Sequence, residues 1–111
     1  MPTQTFYNAG VAAGANTGNI VAGSMFEFLR RPAIVRIASN GSAVGMTARI
    51  TLGDRTILDN MPISAANRFP VVPDDYIVGE PGLAGERLSI IVTNTTAGAL
   101  NVWTKVDIEE L

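Results

Sequence analysis

The chain contains no cysteine and no histidine, and these two absences exclude more function than any residue present suggests. Without Cys there is no disulfide, no thiolate nucleophile and no thiolate-bound zinc. Without His, the usual general base near neutral pH and the commonest metal ligand are missing. Ser24, Ser39, Ser42, Ser64 and Ser89 therefore have no imidazole to activate them, and the single lysine, Lys105, falls on a predicted strand. Charge is scarce as well. Only 16% of the 111 residues are charged, with 8 basic against 10 acidic side chains and a net charge of −2, so no field of either sign gathers a polyanion. With one Trp, two Tyr and four Phe, the chain also lacks a set of exposed aromatics to stack bases, and direct nucleic-acid binding is not expected. The longest run of small or apolar residues, 9–15, is broken by Gly10 and Gly14 and falls far short of the roughly 20 residues of a membrane helix, so no membrane partner is expected. No basic, long apolar secretory signal opens the chain, whose first Arg is Arg30. The expectation is a protein that is not an enzyme and carries neither cofactor nor metal.

What is present describes an all-β domain. Val, Ile and Thr contribute ten residues each, while 11 Gly, eight Asn and six Pro punctuate the chain as turn formers. Residues 86–95 and 99–109 flank Thr96, Ala97 and Gly98 and read as a long β-hairpin. Leu100, Val102, Thr104, Val106 and Ile108 fall on one face of its second arm, and Asn101, Trp103, Lys105, Asp107 and Glu109 fall on the other. The first arm places Leu88, Ile90 and Val92 inward and Ile91 outward, so that Ile91 and Trp103 would share a surface stripe. A second hairpin is read from residues 34–39 and 46–52 around Asn40-Gly41-Ser42, with Met46, Ala48, Ile50 and Leu52 on its apolar face. A short strand, 55–58, follows a Gly53-Asp54 turn. Between residues 60 and 85, four prolines leave only short strands such as 69–72 and 76–78, and a helical turn fits only near 64–67. Residues 4–7 and 25–29 complete the set, the latter with Phe26 and Phe28 on one face. Seven or eight strands make a single β-sandwich, jelly-roll-like or, alternatively, immunoglobulin-like.

Residues 8–24, NAGVAAGANTGNIVAGS, have no clear period. The spacing of Gly10, Gly14, Gly18 and Gly23 resembles a phosphate loop only superficially, since no Lys precedes Lys105. Small residues let backbone approach a neighbour closely, so Gly10, Gly14, Gly18 and Ile20 are candidate interface positions on an extended N-terminal arm, with an irregular loop over the chain's own sheet as the other reading. The domain organisation on the first reading is an arm over residues 1–24 and a β-sandwich over 25–111. Asp74, Asp75 and Glu80 offer oxygen ligands without a calcium-loop spacing, and read as a solvated turn. Arg outnumbers Lys seven to one, and the adjacent Arg30 and Arg31 suit carboxylate pairing at an interface. Trp103, on the polar face of a terminal strand, is covered by a loop of its own chain or buried against a partner or a sugar, and Tyr76 is the second aromatic candidate.

The Gly/Ala-rich N-terminal segment, the Cys-free sandwich, the Thr/Asn-rich turns and the closing run GERLSIIVTNTTAGALNVWTKVDIEEL together resemble a bacteriophage capsid decoration (cement) protein or a minimal jelly-roll virion protein. The resemblance spans residues 33–108 as pattern and transfers no functional residue. It implies a non-enzymatic structural protein, made in the host cytoplasm and located in the virion, that stabilises the shell through subunit contacts. Its partners would be the major capsid protein of the same virus and further copies of itself, with a trimer favoured. The alternative is a carbohydrate-binding or adhesin-type module using Trp103 and Tyr76.

Overall fold

Two-residue alternation of apolar and polar side chains runs through most of the chain, and the computed structural model, which describes residues 3–24, 26–65 and 76–110, converts it into strands. These are β1 (Thr3–Val11), β2 (Ala33–Gly41), β3 (Met46–Leu52), β4 (Arg55–Pro62), β5 (Ser64–Ala65), β6 (Val78–Gly82), β7 (Leu88–Asn94) and β8 (Leu100–Glu110). No helix occurs among the described residues. The helical turn read at 64–67 is replaced where it is described, because Ser64 and Ala65 form β5; the strand read at 69–72 lies outside the described residues.

The strands form two sheets. The first runs β1-β8-β2, and then β6 pairs with the first half of β2 while β5 meets its last two residues. The second runs β4-β3-β7. Every pairing is antiparallel except the short one between β2 and β5. The expected inward faces hold: Leu88, Ile90 and Val92 of β7, Met46, Ala48, Ile50 and Leu52 of β3, and Val102, Thr104 and Val106 of β8 are all buried. On the inward face of the first sheet, a hydroxyl pair joins the neighbouring β2 and β8, with Ser39 Oγ and Thr104 Oγ1 3.0 Å apart, so the two polar atoms that the alternation sends inward satisfy each other.

Strand pairing differs from the sequence reading. Neither expected long hairpin exists, because β7 and β8 lie in different sheets, as do β2 and β3. Both connections are arches across the sandwich, and they run side by side. Ser42 N donates to Asn101 O at 2.9 Å, Asn101 N donates to Ser42 Oγ at 3.0 Å, and Thr95 N donates to Gly45 O at 3.1 Å. Gly41 belongs to β2 rather than to a turn, and the positive φ of 111° falls at Gly45 instead. The Gly53-Asp54 hairpin is as expected, with Gly53 at φ 63°. The strand expected at 25–29 is not formed: Phe26 is buried, Phe28 is 54% exposed, and only a single bridge joins Phe28 to Arg87.

The segment expected as an arm is built into the sandwich. Residues 3–11 are β1, paired with β8, and residues 14–20 lie antiparallel along the outer edge of β7. There, backbone and side-chain groups alternate in closing the edge. Asn94 N donates to Ala15 O, Val92 N to Thr17 Oγ1, Ile90 N to Asn19 Oδ1 and Leu88 N to Glu27 O. Small residues permit this irregular path, in which Gly14 (φ 72°) and Gly18 (φ 67°) take conformations that side chains disfavour.

With that segment counted, the order is nested. First pairs with last (β1 with β8), the 14–20 segment with β7, β2 with β6, and β3 with β4. This is the jelly-roll order, with β1-β8-β2-β6 in one layer and 14–20-β7-β3-β4 in the other, and the two-residue β5 added beside the end of β2. It differs from an immunoglobulin-like sandwich, whose first two strands are neighbours in one sheet.

Candidate functional site

The outer wall of the first sheet carries the most distinctive surface. Outward positions of β8 (Asn101, Trp103, Lys105, Asp107, Glu109) alternate with the buried ones, and β1 brings Thr5 and Tyr7 beside Lys105 and Trp103. Tyr7 and Trp103 stack, with ring centroids 5.3 Å apart and planes 29° from parallel. Tyr7 remains 51% exposed. A cross-strand aromatic pair of this kind combines sheet stabilisation with a large, stiff apolar contact area.

Further along the wall the chemistry becomes ionic. Arg36 of β2 reaches Glu109 at 2.9 Å and Asp107 at 3.8 Å, and the Asp107 side chain is almost fully buried. Tyr76 donates its hydroxyl to Asp107 Oδ2 in a long, 3.4 Å bond. Burial and the neighbouring Asp107 carboxylate raise the Tyr76 phenol above its ordinary value, against a smaller opposing effect of Arg36. Tyr76 thus belongs to the ionic end of the wall. It does not join Trp103, whose stacking partner is Tyr7.

The remaining candidates scatter. Ile91 faces out from the second sheet opposite Arg49, so it shares no stripe with Trp103. Ile20 is buried in the core and donates its N–H to Ile90 O. Gly10 (φ 66°) sits at the bulge ending the regular part of β1 and donates its N–H to Asn101 Oδ1 at 2.9 Å, while Gly14 and Gly18 line the cover over β7. Arg30 and Arg31 border a small depression of about 40 Å³ with Phe28, Leu29, Ile108 and Glu110. Arg31 pairs with Glu110 at 3.6 Å, and both side chains are open to solvent, so the pair contributes little.

A second depression, about 430 Å³ and lined by Pro32, Arg55, Pro81, Gly82, Leu83 and Glu86, lies where β4 meets β6. Its charged groups are committed to one another: Arg55 holds Glu80 at 2.9 Å, Glu86 at 3.2 Å and Pro81 O at 3.0 Å. Among the described residues no group of three or more His, Cys, Asp or Glu is placed to hold a metal ion. Asp74 and Asp75 lie outside the described residues, and Glu80 is bound to Arg55. Sequence reasoning missed Tyr7 and Phe28. Tyr7 gains its meaning from the β1–β8 pairing, which no local pattern announces, and Phe28 from a turn that reads locally as a strand.

No family model, curated protein or solved structure matches the chain.

Proposed function

We propose that the protein is a non-enzymatic structural component of a virion, a capsid decoration or small jelly-roll shell protein that joins subunits through its outer surfaces. The observation that carries this reading is the Tyr7–Trp103 stack on the outer wall of a jelly roll, in which Tyr7 is exposed and Trp103 half-buried. Exposed aromatics on a rigid sheet supply contact area at low entropic cost, which is how protein interfaces are anchored. The jelly roll is shared by shell proteins, lectins and cupins. A cupin-type metal site requires imidazole ligands that this chain lacks. A lectin-type platform favours an aromatic face left open to the sugar, whereas one face of Trp103 is stacked on Tyr7. The partners on this reading are a shell protein of the same virus and further copies of the chain.

The test compares wild type with Trp103→Ala on a glycan array and in sedimentation. The expected result is no glycan retention, together with a wild-type assembly that Trp103→Ala weakens. Saturable binding of a glycan that disappears in Trp103→Ala would replace this reading by the carbohydrate-binding one.

A further inference from the structure

A β-sandwich has four sheet edges, and in this protein three are closed or guarded against further pairing. The outer edge of β7 is occupied by residues 14–20 and 27–29. Strand β4 carries Arg55, Asp59 and Pro62, two register shifts against β3, and Asn60 at φ 53°. Strand β6 is five residues long and contains Glu80 and Pro81. Charges, prolines, bulges and shortness are the devices that keep an edge from adding another strand. Strand β1 has none of them over its regular part. TQTFYN pairs with β8 in unbroken register from Thr3 to Asn8, holds no charge and no proline, and leaves its other side free of any described strand.

We propose that this edge pairs antiparallel with β1 of a second copy of the chain about a twofold axis at Phe6, extending the first sheet across two protomers. This deepens the self-association part of the proposed function and rests on it. The strand is complementary to itself in only one way. An axis between two residues would set inward positions against outward ones. An axis at Thr5 or Tyr7 would set Phe6 against Gln4 or Asn8. With the axis at Phe6, Phe6 meets Phe6 of the second copy, Gln4 meets its Asn8, and Thr5 meets its Tyr7.

A second observation points to the same register. Asn8 Oδ1 is the one buried side-chain oxygen without a hydrogen-bond partner among the described residues, which is a costly state for a polar atom. Asn8 shares one face of the strand with Phe6 and Gln4, opposite the buried Val102, Thr104 and Val106 of β8; Asn8 and Phe6 are half-buried there and Gln4 is exposed. Asn8 Oδ1 is shielded within the protomer, but directly opposed side chains in a sheet lie about 5 Å apart at Cβ, so turning the Asn8 amide toward the open edge brings its oxygen to the Gln4 amide of the second copy. Since the strand is uncharged, the twofold brings no like charges together.

The test uses paired charge variants, measured by light scattering over a range of concentrations. Thr5→Glu/Tyr7→Glu places like charges opposite each other twice across the axis, and so does Thr5→Lys/Tyr7→Lys. Wild type is expected to have at least twice the mass of either variant alone, and an equimolar mixture of the two variants to recover the paired mass as a heterodimer. That recovery shows that both variants are folded. A wild-type monomer at every concentration overturns the β1 pairing, as does a wild-type oligomer whose mass neither variant lowers. The first outcome also removes the self-association part of the shell-protein reading, whereas the second overturns the β1 pairing alone and leaves that reading to its own test on Trp103→Ala and glycan binding.

Discussion

Asn94 is the residue at which two crossings of the sandwich meet. Its Nδ2 donates to Val11 O at 2.9 Å and Gly98 O at 2.7 Å, and its Oδ1 accepts from Thr96 N and Thr96 Oγ1. It thereby ties the end of β1 to the arch between β7 and β8 from a fully buried position. Asn94→Ala leaves the Val11 carbonyl and the Thr96 amide without these partners, and should cost about 2–3 kcal/mol in a denaturant titration. Asn94→Asp should be comparably damaging because it removes the donor while adding a buried charge. Gly45 is constrained differently: its φ of 111° is hostile to side chains, and a Cβ there would collide with Thr96 Cγ2. Gly45→Ala should therefore lower the melting temperature without changing any hydrogen-bonding group.

At the opposite end, Glu27 accepts from Gly23 N at 2.9 Å and Arg87 Nε at 2.8 Å. These contacts, the backbone bond first, hold its carboxyl below the usual carboxylate range. A lowered folded-state value contributes stability that is present above the unfolded value near 4.5 and disappears as pH falls through the folded one. Wild type should therefore lose more melting temperature than Glu27→Gln between pH 6 and pH 3. Equal losses in the two proteins would remove Glu27 from the acid response.

At the scale of elements, the faces of the strands were legible in the sequence and their partners were not. Alternation assigned Met46, Ala48, Ile50 and Leu52 to the core because burial acts on each strand separately. It could not tell a hairpin from an arch, since both connect two alternating segments by a short turn. Asn40-Gly41 looks like a hairpin turn, yet Asn40 and Gly41 are buried in β2, where a Cβ on Gly41 would press on Met46 Sδ. The candidate site was half legible for the same reason. Trp103 stood out as an aromatic on a polar face, whereas its partner Tyr7 lies almost a full chain length away. Residues 8–24 lack a period because side-chain oxygens of Thr17 and Asn19 replace backbone groups in closing β7. The consequence is testable by truncation. Removing residues 1–24 strips β1 from β8 and the cover from β7, exposing two long strand edges and the pocket of Val21. The truncated chain should be insoluble or lack cooperative unfolding, as followed by circular dichroism and sedimentation; a detachable arm would leave both unchanged.

For the whole molecule, nested pairing makes most native contacts long-range in sequence. Among the paired strands described, β3 and β4 alone are joined by a tight turn, whereas β1 and β8 meet only after the full chain is in place. Loop closure must be met before those distant pairings contribute, so refolding should fall in the millisecond-to-second range typical of β-sandwiches. The order of events follows from the same entropy. The β3–β4 hairpin and its neighbour β7 build the second sheet at lower closure cost than the outer strands of the first. Substitutions in β3, such as Ile50→Val, should therefore slow folding in stopped-flow measurements. Phe6→Leu in β1 should mainly speed unfolding, because β1 docks after the barrier is crossed. A Phe6→Leu variant that slows folding as much as Ile50→Val does would mean instead that the first and last strands meet early. Strand β1 would then belong to the folding nucleus. On the expected order it is the last edge laid down, on the side that remains open to a second copy.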